Sequence, residues 1–454
     1  MKKETSRAQF ATRIGAIAAT VGSAVGLGNI WRFPCEAGSN GGGAFIIIYI
    51  LCVLVVCIPL MVAEFVAGRS THKNVLGAVK QLSHNKYFSW LPYMCIFASI
   101  IVIGFYSVVC GWIVEYLIQS VTGGMSGHAV GDYGPMFQSF VENPYRSVLW
   151  TVLFLIANYL VLIGGVKKGI ERVSRIMMPL LFIILIVFCI NSLMMPEVRK
   201  GLDFMFRPDF DHITPGMVLG AMGQAFFSLS LGLSCMLTYG SYFTDDAPLT
   251  RRAVVIALLD TLVAILAGVM IFPAVFSYGM QAEAGPTLVF QTFPAIFSQM
   301  PGGPIWAFLF FLLLFFAAIT STISMSEVSI AFFVEERKMK RPVATVFFTV
   351  LAIVIGAVCA LSFGVLNHLK VAGLTIFELC DYICSNIFMP IGGIAFAVFV
   401  GWYLDRKLVL DQLTNGGTLR SPMAKPLLTC LRFVAPTVIL LIFLYGIGVF
   451  NALL

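Results

Sequence analysis

The sequence predicts an all-α polytopic membrane protein of about eleven transmembrane helices. They form a five-plus-five inverted repeat with helices one and six broken at mid-membrane. Three observations carry this. Of the 454 residues, 59% are hydrophobic and only 11% charged, whereas a soluble domain carries about a quarter charged residues. The apolar residues arrive in blocks long enough to cross a hydrocarbon core of about 30 Å. The first and sixth blocks, five apart, are each interrupted by small and polar residues.

The spans read as 13–36, 43–68, 88–121, 147–164, 171–195, 213–242, 251–279, 304–334, 343–363, 376–404 and 427–451. The first contains Gly22, Gly26, Gly28, Asn29, Arg32 and Pro34 where an unbroken helix would otherwise run. A helix interrupted at bilayer depth frees backbone groups that lipid cannot satisfy, so they must face a cavity or a bound ion. Discontinuous helices of this kind build the sites of ion-coupled transporters. The sixth span carries Ser228, Ser230, Gly232 and Ser234 amid apolar neighbours. Glycine in membrane helices also serves close packing, so the pairing of the two breaks says more than either alone. The chain then divides into a cytoplasmic amino-terminal segment (1–12), a first repeat (13–195), a second repeat (213–404) and a final inner loop and span (405–454). Within the second repeat, 280–303 reads as a structured outer loop with a short helix near 287–298, rich in Pro and Gly.

Charge sets the orientation. With the amino terminus inside, Arg146, Arg199, Lys200, Arg207 and Lys370 fall outside and Arg32 within the membrane, so 23 of the 29 Lys and Arg face the cytoplasm. This is a positive-inside pattern, and it accounts for the net charge of +7 without a nucleic-acid partner. It implies a multi-pass protein of the inner (plasma) membrane with its carboxyl terminus outside. The amino terminus has no small-residue cleavage site and reads as retained. The eleven cysteines lie mostly in apolar runs and read as packing residues rather than a disulfide framework. The five histidines, His72, His84, His128, His212 and His368, fall in or near loops, and no HExxH or GxGD pattern occurs. An intramembrane enzyme therefore has no support.

Four separated motifs carry a resemblance: Gly22 to Pro34, Asn40 to Phe45, Gln224 to Gly232, and Phe315 to Ser321. Together they resemble the neurotransmitter:sodium symporter family (solute carrier family six), in its bacterial branch of hydrophobic amino acid transporters. The resemblance covers nearly the whole chain. It implies two sodium ions as coupling ions and no cofactor. The first sodium would lie against the carbonyl of Ala24 and the side chains of Asn29, Ser228 and Asp260. The second would be held by carbonyls of Gly22, Val25 and Ala317 and the hydroxyls of Thr320 and Ser321. Read alone, those two hydroxyls also fit bonding back to their own helix carbonyls. Asp260 marks a departure, because chloride-dependent members hold chloride beside an uncharged side chain there. A buried carboxylate needs a cation or a proton, so Asp260 is expected to make chloride unnecessary. The bland alternative is a helix carboxylate facing a polar crevice.

The resemblance also places the substrate. The amides of Leu27 and Gly28, at the positive end of a half-helix, and the hydroxyl of Tyr106 would bind a carboxylate. Carbonyls of Ala24, Phe227 and Ser230 would meet the amino group. Gly26 stands where monoamine-transporting relatives carry Asp, which favours an α-amino acid. Val102, Phe227, Ser230, Leu233, Ser321 and Met325 would line an apolar side-chain pocket. An outer gate is expected from Arg32 and Asp381, and an inner latch from Arg7, Glu335 and Tyr242. Gly169 and Pro179 weaken the start of span five and would let it unwind. Glu64 is expected to stabilise the broken helices through hydrogen bonds. The expected function is sodium-coupled, chloride-independent import of a neutral, hydrophobic or aromatic L-amino acid. A proton-coupled or single-sodium carrier, and a non-transporting receptor on the same fold, are the alternatives. The partners implied are the amino acid, sodium and the lipid bilayer, with no obligate protein partner.

Overall fold

The computed structural model describes residues 7–83, 86–125, 127–211, 213–280 and 288–450. The expectations placed on Lys2, Lys3, His84, His212 and 281–287 lie outside them. Among the described residues, nine helices are long and apolar enough to cross a membrane: Gly43–Thr71, Lys86–Thr122, Pro144–Ile163, Val166–Leu193, Leu249–Ser277, Gly303–Glu335, Arg341–Leu361, Ile376–Tyr403 and Ala424–Gly446. A tenth is the bent pair Arg13–Ala24 and Gly28–Ser39, whose halves meet at 51°. The eleventh, expected at 213–242, is split into Pro215–Ser228 and Cys235–Gly240. Neither piece alone reaches the length a bilayer requires.

The break in span one follows from its residues. Val25 is extended (φ −65°, ψ 113°), and three of the groups freed nearby find side-chain partners. Gly26 N–H donates to Asn29 Oδ1 (3.0 Å), Leu27 N–H to the Tyr106 hydroxyl (3.2 Å), and Gln224 Nε2 to the Gly28 carbonyl (2.9 Å). In span six, Ser230, Gly232 and Ser234 all take positive φ. At a non-glycine residue this costs about 1–3 kcal/mol and needs surroundings that enforce it. Glu64, fully buried, is one of them: it accepts from the amides of Gly232 (2.8 Å) and Leu237 (3.2 Å). At Gly232 (φ +86°) a Cβ would also run into the backbone of Met389, so only glycine fits.

Burial separates the core from the rim. Spans three and eight have 72% of their most apolar stretch buried, against 33% for span four and 28% for span eleven. Span four turns Leu149, Leu153, Ile156 and Leu160 outward, a stripe at helical spacing that suits lipid contact. Spans three and four touch through their backbones at Gly111, where a Cβ would lie 2.7 Å from the Thr151 nitrogen. Outside the spans, the structure adds helices the composition did not announce: Val75–Leu82, Tyr133–Glu142, Val198–Phe206 and Arg406–Thr414. The outer loop carries two short ones, Leu288–Thr292 and Phe293–Gln299, close to the helix expected at 287–298.

Candidate functional site

The two breaks meet around a cavity of about 30 Å³, room for about two water molecules. Ala24, Gly26, Gly28, Val102, Tyr106, Phe227, Ser230, Leu233, Ser321 and Met325 all line it. Of the residues assigned to substrate by resemblance, only Leu27 is absent from the lining, and its amide is bonded to Tyr106. Phe105, Ser228, Cys384, Ser385 and Met389 complete the wall. None of the fifteen is Asp, Glu, Lys, Arg or His. A side-chain charge on a ligand would find no partner there. At Gly26 a Cβ would sit 2.7 Å from Ser321 Oγ, so any larger residue would push into this space.

Below Gly28, Asn29, Ser228 and Asp260 converge in a fully enclosed cluster. The Asp260 carboxylate accepts from Asn29 Nδ2 (2.8 Å), Ser228 Oγ (2.8 Å) and the Tyr49 hydroxyl (3.4 Å). The oxygens are hard ligands that suit a hard cation. Among the described residues no group of three His, Cys, Asp or Glu is placed to hold a metal ion. Across span one, Ser321 Oγ donates to the Ser23 carbonyl (3.3 Å), tying span eight to the break. Thr320 Oγ1 instead donates back to the carbonyls of Phe316 (2.8 Å) and Ala317 (3.2 Å). Its Cβ faces Gly22, where an added Cβ would meet it at 3.0 Å. Gly22, Ala317, Thr320 and Ser321 therefore stand together, with Val25 at the break beside them.

At the opposite end from Arg32, Arg7 pairs with Glu335, which also accepts from the Asn74 amide (2.9 Å) and Nδ2 (2.8 Å). The Arg7 guanidinium lies over the Tyr242 ring, 4.5 Å from its centroid. Phe10 packs edge-on against Tyr239 and Tyr242.

A family model described as the sodium:neurotransmitter symporter family matches residues 7–131 and 141–453. The chain belongs to this family. It is 37% identical over 448 residues to the uncharacterized sodium-dependent transporter YhdH of Bacillus subtilis (strain 168), covering 99% of each chain. It is 34% identical to an uncharacterized sodium-dependent transporter of Haemophilus influenzae, covering 96% of this chain and 98% of that one. Among solved structures, it resembles MhsT in complex with L-phenylalanine, with a TM-score of 0.89 and 41% identity over 97% of this chain and 100% of that one. The chain is thus a sodium-dependent transporter of the symporter family, a multi-pass membrane protein with that family's helical fold.

Within this symporter, one expected pairing is not made. Arg32 and Asp381 do not join. Arg32 Nε lies 3.8 Å from Glu36, one turn along its own helix, and its guanidinium covers the Phe227 ring at 4.4 Å. Asp381 accepts from Ser385 Oγ (2.9 Å). Glu36 competes for the arginine because an i,i+4 pair forms without bringing two spans together. Gly169 lies in a wide helical turn, Val166–Glu171, and Pro179 lies inside the helix Arg172–Leu193 that follows. That turn ends on Glu171, which accepts from the amides of Ala11 (2.6 Å) and Thr12 (3.0 Å), so span five holds the entry to span one.

Sequence reasoning missed Glu327. It is fully buried and bonded by both Nη atoms of Arg341 (2.9 and 2.7 Å) and by the Tyr242 hydroxyl (2.7 Å). The signal was present: a carboxylate inside a 33-residue apolar helix is expensive unless paired. Cys384, Ser385 and Met389 left no comparable trace, because nothing in their local pattern says which face of span ten turns inward.

Proposed function

We propose that this symporter imports a neutral, hydrophobic or aromatic L-amino acid together with sodium, by alternating access and without chloride. The observation that carries this is the cavity itself: fifteen lining residues with no Asp, Glu, Lys, Arg or His among them, set against a broken helix whose Gly26 brings no carboxylate. A monoamine would need an acidic partner at that point. An amino acid brings its own carboxylate, and the half-helix amides and Tyr106 suit it. The likeness to MhsT, solved with L-phenylalanine, supports the apolar class.

In this reading, two sodium ions bind. Ala24, Asn29, Ser228 and Asp260 hold the first, and Gly22, Val25, Ala317, Thr320 and Ser321 the second. The fixed charge of Asp260 serves where other members use chloride, and it can take up a proton once sodium leaves. The halves 13–195 and 213–404 move against each other around the site. The protein sits in the plasma membrane with its amino terminus in the cytoplasm and its carboxyl terminus outside. Arg32 with Phe227, and Asp381 when the outer side closes, form the outer gate. Arg7, Glu335 and Tyr242 form the inner one.

Two measurements test the site. Tyr106→Phe removes a hydrogen bond to a charged group worth about 1.5–3 kcal/mol, so affinity falls about 10- to 100-fold. Equilibrium binding of radiolabelled phenylalanine in sodium reads this directly, and unchanged affinity would remove Tyr106 from the site. Pro179→Ala restores a backbone hydrogen bond in span five. It is expected to leave sodium-dependent binding intact while slowing turnover severalfold in reconstituted vesicles. Equal turnover would exclude unwinding of span five as the slow step.

A further inference from the structure

We propose that a second site, at the end of the bundle bearing the arginine-rich loops, binds a phosphate-type oxyanion through Arg252 and Arg13. Arg252 opens the helix Leu249–Ser277 and is only 7% exposed. Its guanidinium lies 4.3 Å from the centroid of the Phe243 ring, and its buried Nη1 has no hydrogen-bond partner. A buried cationic donor left without an acceptor is costly and rare in folded proteins. It faces a cavity of about 230 Å³ whose walls include Ala11, Thr12, Arg13, Thr244 and Asp246.

The carboxylate in this cavity does not complete Arg252. Asp246 accepts from Thr244 (2.5 Å) through Oδ1 and from Arg13 (2.8 Å) through Oδ2. Those two hydrogen bonds, Thr244 first and Arg13 second, hold its carboxyl below the usual carboxylate range, so it is charged and committed at neutral pH. The nearby charges are also spent. Arg69 donates to the Ala247 and Gln412 carbonyls, and Asp245 pairs with His72 at 2.9 Å. The cavity is left with two guanidinium groups against one carboxylate. A planar guanidinium offers paired donors that match an oxyanion better than a spherical halide. The same chemistry is presented by free phosphate and by the phosphodiester of a lipid headgroup. Ile14, next to Arg13 in the chain, is apolar and 73% exposed. A bound oxyanion would tie the entry of span one to the start of span seven.

The test uses the full chain in neutral detergent, with its thermal midpoint titrated by inorganic phosphate against chloride at equal sodium and ionic strength. Phosphate is expected to raise the midpoint saturably where chloride does not. Arg252→Gln loses the shift. Asp246→Asn, which removes the competing carboxylate and frees Arg13, tightens the apparent Kd. Nanodiscs of phosphatidylcholine with or without phosphatidylglycerol then separate the sources. If phosphatidylglycerol raises the midpoint and abolishes the phosphate response, the ligand is a lipid headgroup. If the phosphate response persists beside it, the ligand is free anion. The proposal is overturned if neither phosphate nor phosphatidylglycerol shifts the midpoint, or if Arg252→Gln shifts as the parent does. Should Arg252→Gln not fold, an unchanged or weaker phosphate response in Asp246→Asn overturns it alone.

Discussion

Replacing Asp260 with asparagine is expected to lower sodium-driven uptake in chloride-free medium by about 100-fold or more, because removing one partner of a buried charge interaction costs about 3–5 kcal/mol. Asp260 is fully buried, and its oxygens take hydrogen bonds from Asn29, Ser228 and Tyr49. These neutral donors orient the carboxylate without cancelling its charge, which is left to attract a cation. Asparagine keeps the shape and removes that attraction. Chloride supplied from outside should restore part of the rate, since an anion near the same cluster replaces the lost charge. Initial rates in proteoliposomes, in gluconate and in chloride, read both effects. Full activity of the variant without chloride would show that Asp260 merely faces a polar crevice.

The largest effect on stability is expected at Arg341. Its two Nη atoms hold Glu327 and its Nε donates to the Leu162 carbonyl at 3.1 Å, linking spans four, eight and nine. Arg341→Met leaves a carboxylate that has no exposed surface and, among the described residues, the Tyr242 hydroxyl as its remaining donor. The loss should be about 3–5 kcal/mol. The double variant Arg341→Met, Glu327→Met should recover most of it, because apolar residues of similar volume replace buried ion pairs at little or no cost. Unfolding midpoints in detergent for the parent, the single and the double variant make the comparison. A single-variant loss no larger than the ~1 kcal/mol of a surface pair would contradict the role given to Glu327.

Much of this arrangement was legible in the residues. The break in span one is written in three glycines, an asparagine and a proline, and the structure bends there by 51°. Gly232 with its flanking serines marks the unwound stretch of span six, since few residues tolerate the backbone conformation found there. Glu64 and Asp260 announce themselves as carboxylates among apolar neighbours. Glu327 did so equally, yet its partner Arg341 lies beyond the end of its helix, and only the fold brings the two together. The same holds for Cys384, Ser385 and Met389, which enter the cavity by the rotation of span ten. The Arg32 pairing differs for another reason. Glu36 is a local competitor one turn away, and it holds the arginine without bringing two spans together.

Sodium-driven, chloride-indifferent transport of an apolar amino acid is the activity proposed for this symporter. The most direct test is initial uptake of radiolabelled leucine, phenylalanine, tryptophan, tyrosine and glycine into proteoliposomes, with sodium or potassium outside and chloride replaced by gluconate. The prediction is uptake of at least one apolar amino acid that requires sodium and is unchanged by removing chloride. Folded protein that takes up none of them in response to sodium, or that does so only with chloride present, would contradict it.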